Sequence, residues 1–275
     1  KGETLASNAL NIYTGGKGLN QSVALGRAGV KTYHAGAIGE DGQFLLDFLK
    51  KAGVDTTYVS KTDEIRTGNA IIQTDKTGDN CILLFGGANQ AISKHQVDAT
   101  LSCFDEGDFI VLQNEINEMP YIIQKAHEKG MIIVLNPAPM NKKVSEMPLQ
   151  LVDYLVVNEI EAAQLLERTF SEEEDVVIAD ALVEKFPNTK IILTLGEKGS
   201  IYIEGKKRII QEIYKTKVVD TTAAGDCFIG YFVAAIMQKK SVEEAMNLAA
   251  KASALAVSKA GAAPSIPMME EVLNH

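Results

Sequence analysis

Four short apolar runs, each ended by a breaker or an amide, constrain this chain most. They lie at 109–112, at 132–135 before Asn136-Pro137-Ala138-Pro139, at 154–157 before Asn158, and at 190–195 before Gly196. Runs of this length and character fit strands buried on both faces. Stretches with helical spacing alternate with them: 41–51, with Phe44, Leu45 and Phe48 on one face, 121–129, 159–166, and two long ones at 224–238 and 242–259. Such alternation predicts a parallel sheet covered by helices on both sides. Sheets of this type bind ligands beyond the carboxyl ends of their strands, so the residues after each run are the candidates for chemistry. Two regions stand apart. Residues 4–13 read as extended, and 68–85 read as a hairpin turning at 76–80. Together they make a candidate β lid. With no internal repeat or linker, the 275 residues are expected to form one domain.

Net charge narrows the partner. At −9, the chain repels nucleic acid and anionic membranes, and Lys206-Lys207-Arg208 reads as a solvated hairpin edge. A small-molecule partner is expected, with no nucleic acid and no membrane. Cys81, Cys103 and Cys227 lack paired spacing, which points to a reducing cytoplasmic setting. His34, His95, His127 and His275 are scattered without metal-ligand spacing, so zinc is not expected.

The most informative segment is Val218-Val219-Asp220-Thr221-Thr222-Ala223-Ala224-Gly225-Asp226. Small residues lead from a strand end into a helix. Ala223, Ala224 and Gly225 scarcely shield their amides, which can converge on an anion at the helix start. Such a site favours charge gathering on a phosphoryl group in transfer. Asp226, in the first helical turn, is placed to take a proton from an attacking hydroxyl. Near the other end, Gly15-Gly16-Lys17-Gly18-Leu19-Asn20-Gln21 opens a helix with glycines that admit a ligand close to the backbone. Lys17 and Asn20, three apart, share a face and offer an ammonium and an amide to a polyol.

These two segments resemble the signatures of the ribokinase-like (PfkB) carbohydrate kinases, and the resemblance extends over nearly the whole chain. Gly39-Glu40-Asp41-Gly42, Gly86-Gly87-Ala88-Asn89 and Asn136-Pro137-Ala138-Pro139 add to it in the family's order. It implies a three-layer α/β/α sandwich with a mostly parallel central sheet and a small β lid. The implied activity is ATP-dependent phosphorylation of a sugar's primary hydroxyl, with D-ribose as the acceptor. The family's other acceptors, fructose, a nucleoside or a sugar phosphate, are the alternatives, and a catalytically silent sugar or nucleotide sensor is another.

On the same resemblance, Asp226 is the general base and Ala223, Ala224 and Gly225 form the anion hole. Gly16, Lys17, Gly18, Asn20 and Glu115 hold the sugar. Asn158, Thr194, Gly196, Gly199, Gly225 and Ala250 face ATP. Ala250 lies in an alanine-rich stretch that equally suits close helix packing. Glu161 orients water on Mg²⁺. Asp220, Thr222, Ala256, Lys259, Gly261 and Ser265 surround a monovalent cation, K⁺. Pairing of lid strands implies a homodimer. Cys227 departs from the Thr common at its position; it reads first as a small buried residue, with a redox-sensitive helix-start thiol as the alternative. The family's first strand, with its Asn-x-Asp element, falls before Lys1. The expectation is that this strand is missing from the sequence and that its place is a hydrophobic gap.

Overall fold

The computed structural model describes residues 8, 9, 11–74, 80–168 and 175–275. The chain enters helix α1 (Lys17–Arg27), strand β1 (Thr32–Gly39), helix α2 (Gln43–Lys51) and strand β2 (Val54–Thr62). A hairpin of β3 (Asn69–Thr74) and β4 (Asn80–Phe85) follows, then α3 (Lys94–Leu101), β5 (Phe109–Gln113) and α4 (Met119–Glu128). The centre of the chain runs β6 (Ile132–Asn136), β7 (Tyr154–Asn158), α5 (Glu159–Leu165), α6 (Asp175–Lys185) and β8 (Lys190–Thr194). A second hairpin, β9 (Ser200–Glu204) and β10 (Lys207–Gln211), precedes α7 (Ala224–Met237), α8 (Val242–Val257) and α9 (Met269–Leu273).

Six strands form one sheet in the order β10-β9-β8-β7-β6-β5. The four from β5 to β8 run parallel, and β9 and β10 are antiparallel additions. Side-chain alternation divides this sheet between two cores. Val134, Val156 and Ile192 pack with α1, α7 and α8 on one face. Their neighbours Ile133, Leu135, Leu155, Val157, Ile191 and Leu193 pack with α4, α5 and α6 on the other. Because strand side chains alternate with period two, a continuous apolar run feeds both layers at once.

Some expectations need correction. Phe44 is exposed while Leu49 is the buried residue of α2, because the apolar face of this helix turns toward Leu45 and Phe48 instead. The run at 109–112 is not buried on both faces: Leu112 alone of β5 is fully buried, since β5 is the last strand of its sheet. The sheet is also divided. β1 and β2 form a separate parallel pair, and a cavity of about 590 Å³ lies between β1 and β5, bordered by apolar Leu19, Leu25, Ile38, Ile110 and Leu112. Of the stretch 4–13, only residues 8, 9 and 11–13 are described, and they carry no strand. The expected turn at 76–80 falls largely outside the described residues. Lys207 and Arg208 sit on the outer strand β10, where they pair with Glu243 at 3.5 Å and Asp180 at 2.9 Å.

One helix crossing places the site. At Gly230 of α7, an added Cβ would lie 2.3 Å from Ala24 Cβ of α1. Only a residue without a side chain lets the two helices approach this closely, and that approach brings residues 20 and 21 against residue 226.

A second device ties down the β3–β4 hairpin. Asp41 Oδ1 accepts from the Thr67 amide at 2.9 Å and its hydroxyl at 2.7 Å, and Oδ2 accepts from Arg66 Nε at 3.0 Å. The Thr67 hydroxyl in turn accepts from the Gly39 amide at 3.0 Å. The Thr67 and Arg66 hydrogen bonds hold the Asp41 carboxyl down at about 2. A depressed carboxyl stabilises the fold above its unfolded value of 3.8 and loses that contribution as pH falls toward about 2. Asp41→Asn is therefore expected to lower the thermal midpoint at pH 7, with the gap from wild type narrowing below about pH 4. Thermal scans across pH check this, and a gap independent of pH contradicts it.

Candidate active site

The site is built where the tips of α1 and α7 meet. Ala223 takes a left-handed conformation, φ 63°, and turns the chain sharply into α7. The turn is closed by Ala224 N donating to Thr221 O at 3.2 Å, and Cys227 N donates to Ala223 O at 2.8 Å. Asp226 is 7% exposed. Its carboxylate is satisfied by two amides from α1: Asn20 Nδ2 donates to Oδ2 and Gln21 Nε2 donates to Oδ1, each at 2.8 Å. A buried charge is tolerated only with such partners. Asn20 Oδ1 is buried without a hydrogen-bond partner among the described residues. An acceptor held this way suits an incoming hydroxyl.

A cavity of about 240 Å³ opens at this point, bordered by Lys17, Asn158, Glu161, Thr194, Ala223, Ala224, Gly225 and Asp226. Gly225 faces open space. Amides of the first helical turn have no partner within the helix, so this tip offers donors and a positive dipole end to an anion. Gly16, Gly18 and Glu115 border the larger cavity on the other side of α1. Glu115 Oε2 accepts from Gly18 N at 3.4 Å. Burial pushes the Glu115 carboxyl up, the Gly18 amide opposes this, and nearby Asp226 adds to it.

Asn158 and Glu161 form a capping box at the start of α5. Glu161 N donates to Asn158 Oδ1 at 2.7 Å and Asn158 N donates to Glu161 Oε2 at 3.0 Å. Both residues also border the smaller cavity. Burial pushes the Glu161 carboxyl up, and Asn158 N and Lys17 hold it back.

The remaining predicted residues fall elsewhere. Asp220 closes a separate loop, accepting from Thr222 N at 2.8 Å and Gly261 N at 2.9 Å, which hold its carboxyl below the ordinary range. Lys259 N donates to Ala256 O, and the Lys259 ammonium pairs with Glu271. Ser265 donates to Ala262 O at 2.8 Å. Gly196, Gly199 and Ala250 do not border the smaller cavity. A Cβ on Gly199 would lie 2.1 Å from Gln211 O, so this glycine admits the crossing backbone. Ala250 packs in the core of α8. Burial pushes the Cys227 thiol well above its ordinary range, which removes it as a reactive thiolate.

Three residues of the site escaped sequence reasoning. Asn136, at the end of β6, donates to Val156 O at 2.9 Å and reaches Glu161 Oε2 at 3.5 Å. Gln21 touches Asp226, and Gln113 touches Gln21. Asn136 and Gln113 end apolar runs, which is the place where ligand-facing residues of such sheets are sought.

Residues 1–269 match the pfkB family of carbohydrate kinases. The chain belongs to this family. Among its relatives is a protein named ribokinase from Staphylococcus aureus, 37% identical, with 98% of this chain and 91% of the relative covered. Solved structures agree. A ribokinase from Cryptococcus neoformans in complex with ADP superposes with a TM-score of 0.89 at 32% identity, covering 99% of this chain and 92% of that one. A ribokinase from Arabidopsis thaliana complexed with ribose and ATP gives 0.86 at 30% identity, covering 100% and 91%. As in any pfkB carbohydrate kinase, the chemistry to be housed is transfer of a phosphoryl group to a sugar hydroxyl, and the α7 tip with Asp226 has the donors and the carboxylate for it.

Raised carboxyls at such a site carry a stability consequence. The native state holds the Glu161 proton more tightly than the unfolded chain, so its ionisation destabilises the fold progressively as pH rises above 4.5. Glu161→Gln keeps an oxygen to accept from Asn158 N and removes that charge. Its thermal midpoint at pH 7 is expected to equal or exceed wild type while kinase turnover falls. A lowered midpoint with full turnover would contradict this, and calorimetry beside a coupled assay reads both.

Proposed function

We propose that this carbohydrate kinase transfers the γ-phosphoryl group of ATP to the primary hydroxyl of D-ribose, giving ribose 5-phosphate. The observation that carries the reading is the buried Asp226 carboxylate, fixed by Asn20 at the helix tip that forms one wall of the smaller cavity. Each carboxylate oxygen accepts one amide hydrogen and keeps acceptor capacity for a hydroxyl. In this reading Asp226 orients the sugar hydroxyl and takes its proton as the oxygen attacks phosphorus. Amides of Ala223 and Gly225, with that of Ala224 shared with Thr221 O, would receive the charge on the transferring group, so that catalysis is chiefly positioning and electrostatics.

Gly16, Lys17, Gly18, Asn20 and Glu115 would hold the sugar hydroxyls, with Asn20 Oδ1 accepting from one of them. Asn158, Thr194, Gly196, Gly199 and Ala250 would border ATP. The donor set fits Mg²⁺ held mainly through water: Glu161 is the one carboxylate besides Asp226 on the smaller cavity, and Mg²⁺ commonly retains several waters. Bound there, the ion would neutralise phosphate charge. The loop closed by Asp220, with Thr222, Ala256, Lys259, Gly261 and Ser265, offers backbone oxygens of the kind a K⁺ ion takes. The unpaired state of Cys81, Cys103 and Cys227 supports a cytoplasmic setting. No helix among the described residues is long and apolar enough to cross a membrane.

The β3–β4 hairpin would serve as a lid that limits water during transfer. Its cross-strand pairs Ile71–Leu83 and Ile72–Ile82 lie on opposite faces, and all four side chains are exposed. One face turned to the sugar leaves the other for a second subunit. A dimer is therefore expected in sedimentation analysis, with Ile72→Asp and Leu84→Asp together shifting it to monomer; a monomeric wild type at micromolar concentration would reject this.

A coupled ATP assay with ribose, 2-deoxyribose, fructose and adenosine tests the substrate. Ribose should give the highest kcat/KM, and equal use of fructose or adenosine rejects it. Asp226→Asn should lower kcat by about 10²–10⁴-fold, the range for a lost general base, with ATP binding intact. Unchanged turnover would remove Asp226 from the chemistry and leave a binding protein as the alternative.

A further inference from the structure

Asp226 is oriented by more than its neighbour in the α1 signature. Asn20 holds one oxygen, Oδ2. The other, Oδ1, accepts from Gln21, and Gln21 Oε1 accepts in turn from Gln113 Nε2 at 2.7 Å. We propose that Gln113, acting through Gln21, is a positioning residue that sets the plane of the Asp226 carboxylate. The proposal rests on the kinase reading above.

Donor and acceptor chemistry fixes the direction of this chain. An ionised carboxylate only accepts, so Gln21 must turn its NH₂ toward Asp226. Its carbonyl oxygen then points away and needs a donor, because Gln21 is 1% exposed and water does not reach it. Gln113 supplies that donor. The same Gln113 nitrogen also donates to Val111 O at 3.3 Å, so both of its hydrogens are engaged. Flipping the Gln113 amide would lose both bonds and set two oxygens against each other. The orientation is thus imposed from the sheet outward: strand, Gln113, Gln21, Asp226.

The far end of the chain is rigid. Gln113 is the last residue of β5, in register with Asn136 on β6. The space for its amide comes from Gly18, where an added Cβ would lie 3.0 Å from Gln113 Oε1. This gives Gly18 a second use besides backbone approach to a ligand. The functional need is also clear. The terminal torsion of an aspartate is broad and two-fold, so one donor leaves the carboxylate plane loosely set. Donors on both oxygens fix it. A base must sit within about 2.6–3.2 Å of the proton it takes, and displacement of about 1 Å lowers rate by about a hundredfold.

Methionine matches the length of glutamine and donates nothing, so Gln21→Met and Gln113→Met test the relay in the full chain. Gln113→Met should lower kcat for ribose about tenfold or more with KM for ATP within twofold, since the nucleotide side is untouched. The double variant should be no worse than Gln21→Met alone, because without the middle link Gln113 has nothing to hold. In nuclear magnetic resonance spectra, the Gln21 side-chain amide of the wild type should shift both in Gln113→Met and in Asp226→Asn. Wild-type kcat in Gln113→Met, losses that multiply in the double variant, or a Gln21 amide insensitive to Gln113 would each overturn the relay. A wild type that leaves ribose unphosphorylated while the Gln21 amide still reports both substitutions would reject the ribose reading and uphold the relay geometry.

Discussion

The structure depends on keeping one carboxylate buried, partnered and aimed. Asp226 lies at the start of α7 with both oxygens bonded to side chains from α1, more than 200 residues away in the chain. That contact exists because α1 and α7 approach at Gly230 and Ala24 until a single methyl would obstruct them. Without the approach, the carboxylate would be buried without partners, at a cost of several kcal/mol. The site is therefore a product of helix packing and cannot be separated from the core that carries it.

That core is organised by the sheet. Successive residues of β6, β7 and β8 enter opposite cores, so each strand anchors helices on both sides and presents its carboxyl end on the side where Asn136, Asn158 and Thr194 stand. Polar residues end these apolar runs where the strands reach the smaller cavity, which Asn136, Asn158 and Thr194 border. The same edge supplies Gln113 from β5. Rigid strands position these groups more narrowly than free loops could.

Much of this was legible in the sequence, residue by residue. The apolar runs located β5 to β8 to within a residue or two, because short apolar runs closed by a polar residue or breaker mark strands, although the burial of β5 fell short of what its run implies. Asp226 with Ala223, Ala224 and Gly225 stood out because a bare helix start beside a carboxylate has few uses. Lys17 reads as a sugar residue and Asn158 as a nucleotide residue, and that both border one cavity is a tertiary fact that neither segment states. Other features resisted. Asp226 and Gln113 meet only through Gln21, a non-local contact that no spacing rule encodes. Gly199 reads as a nucleotide turn, and that its bare backbone also admits the crossing Gln211 carbonyl is a non-local need no turn pattern shows. Phe44 looked like a core residue, and the roll of α2 that exposes it is set by tertiary packing.

In the proposed mechanism, sugar hydroxyl, Asp226 and the α7 amides meet at one point. A crystal structure with ribose and a non-hydrolysable ATP analogue tests it most directly. The primary hydroxyl oxygen should lie within about 3 Å of an Asp226 oxygen, with terminal phosphate oxygens on the amides around Gly225 at about 2.7–3.1 Å. Ribose or the terminal phosphate bound away from that helix tip, with Asp226 still held only by Asn20 and Gln21, would contradict it.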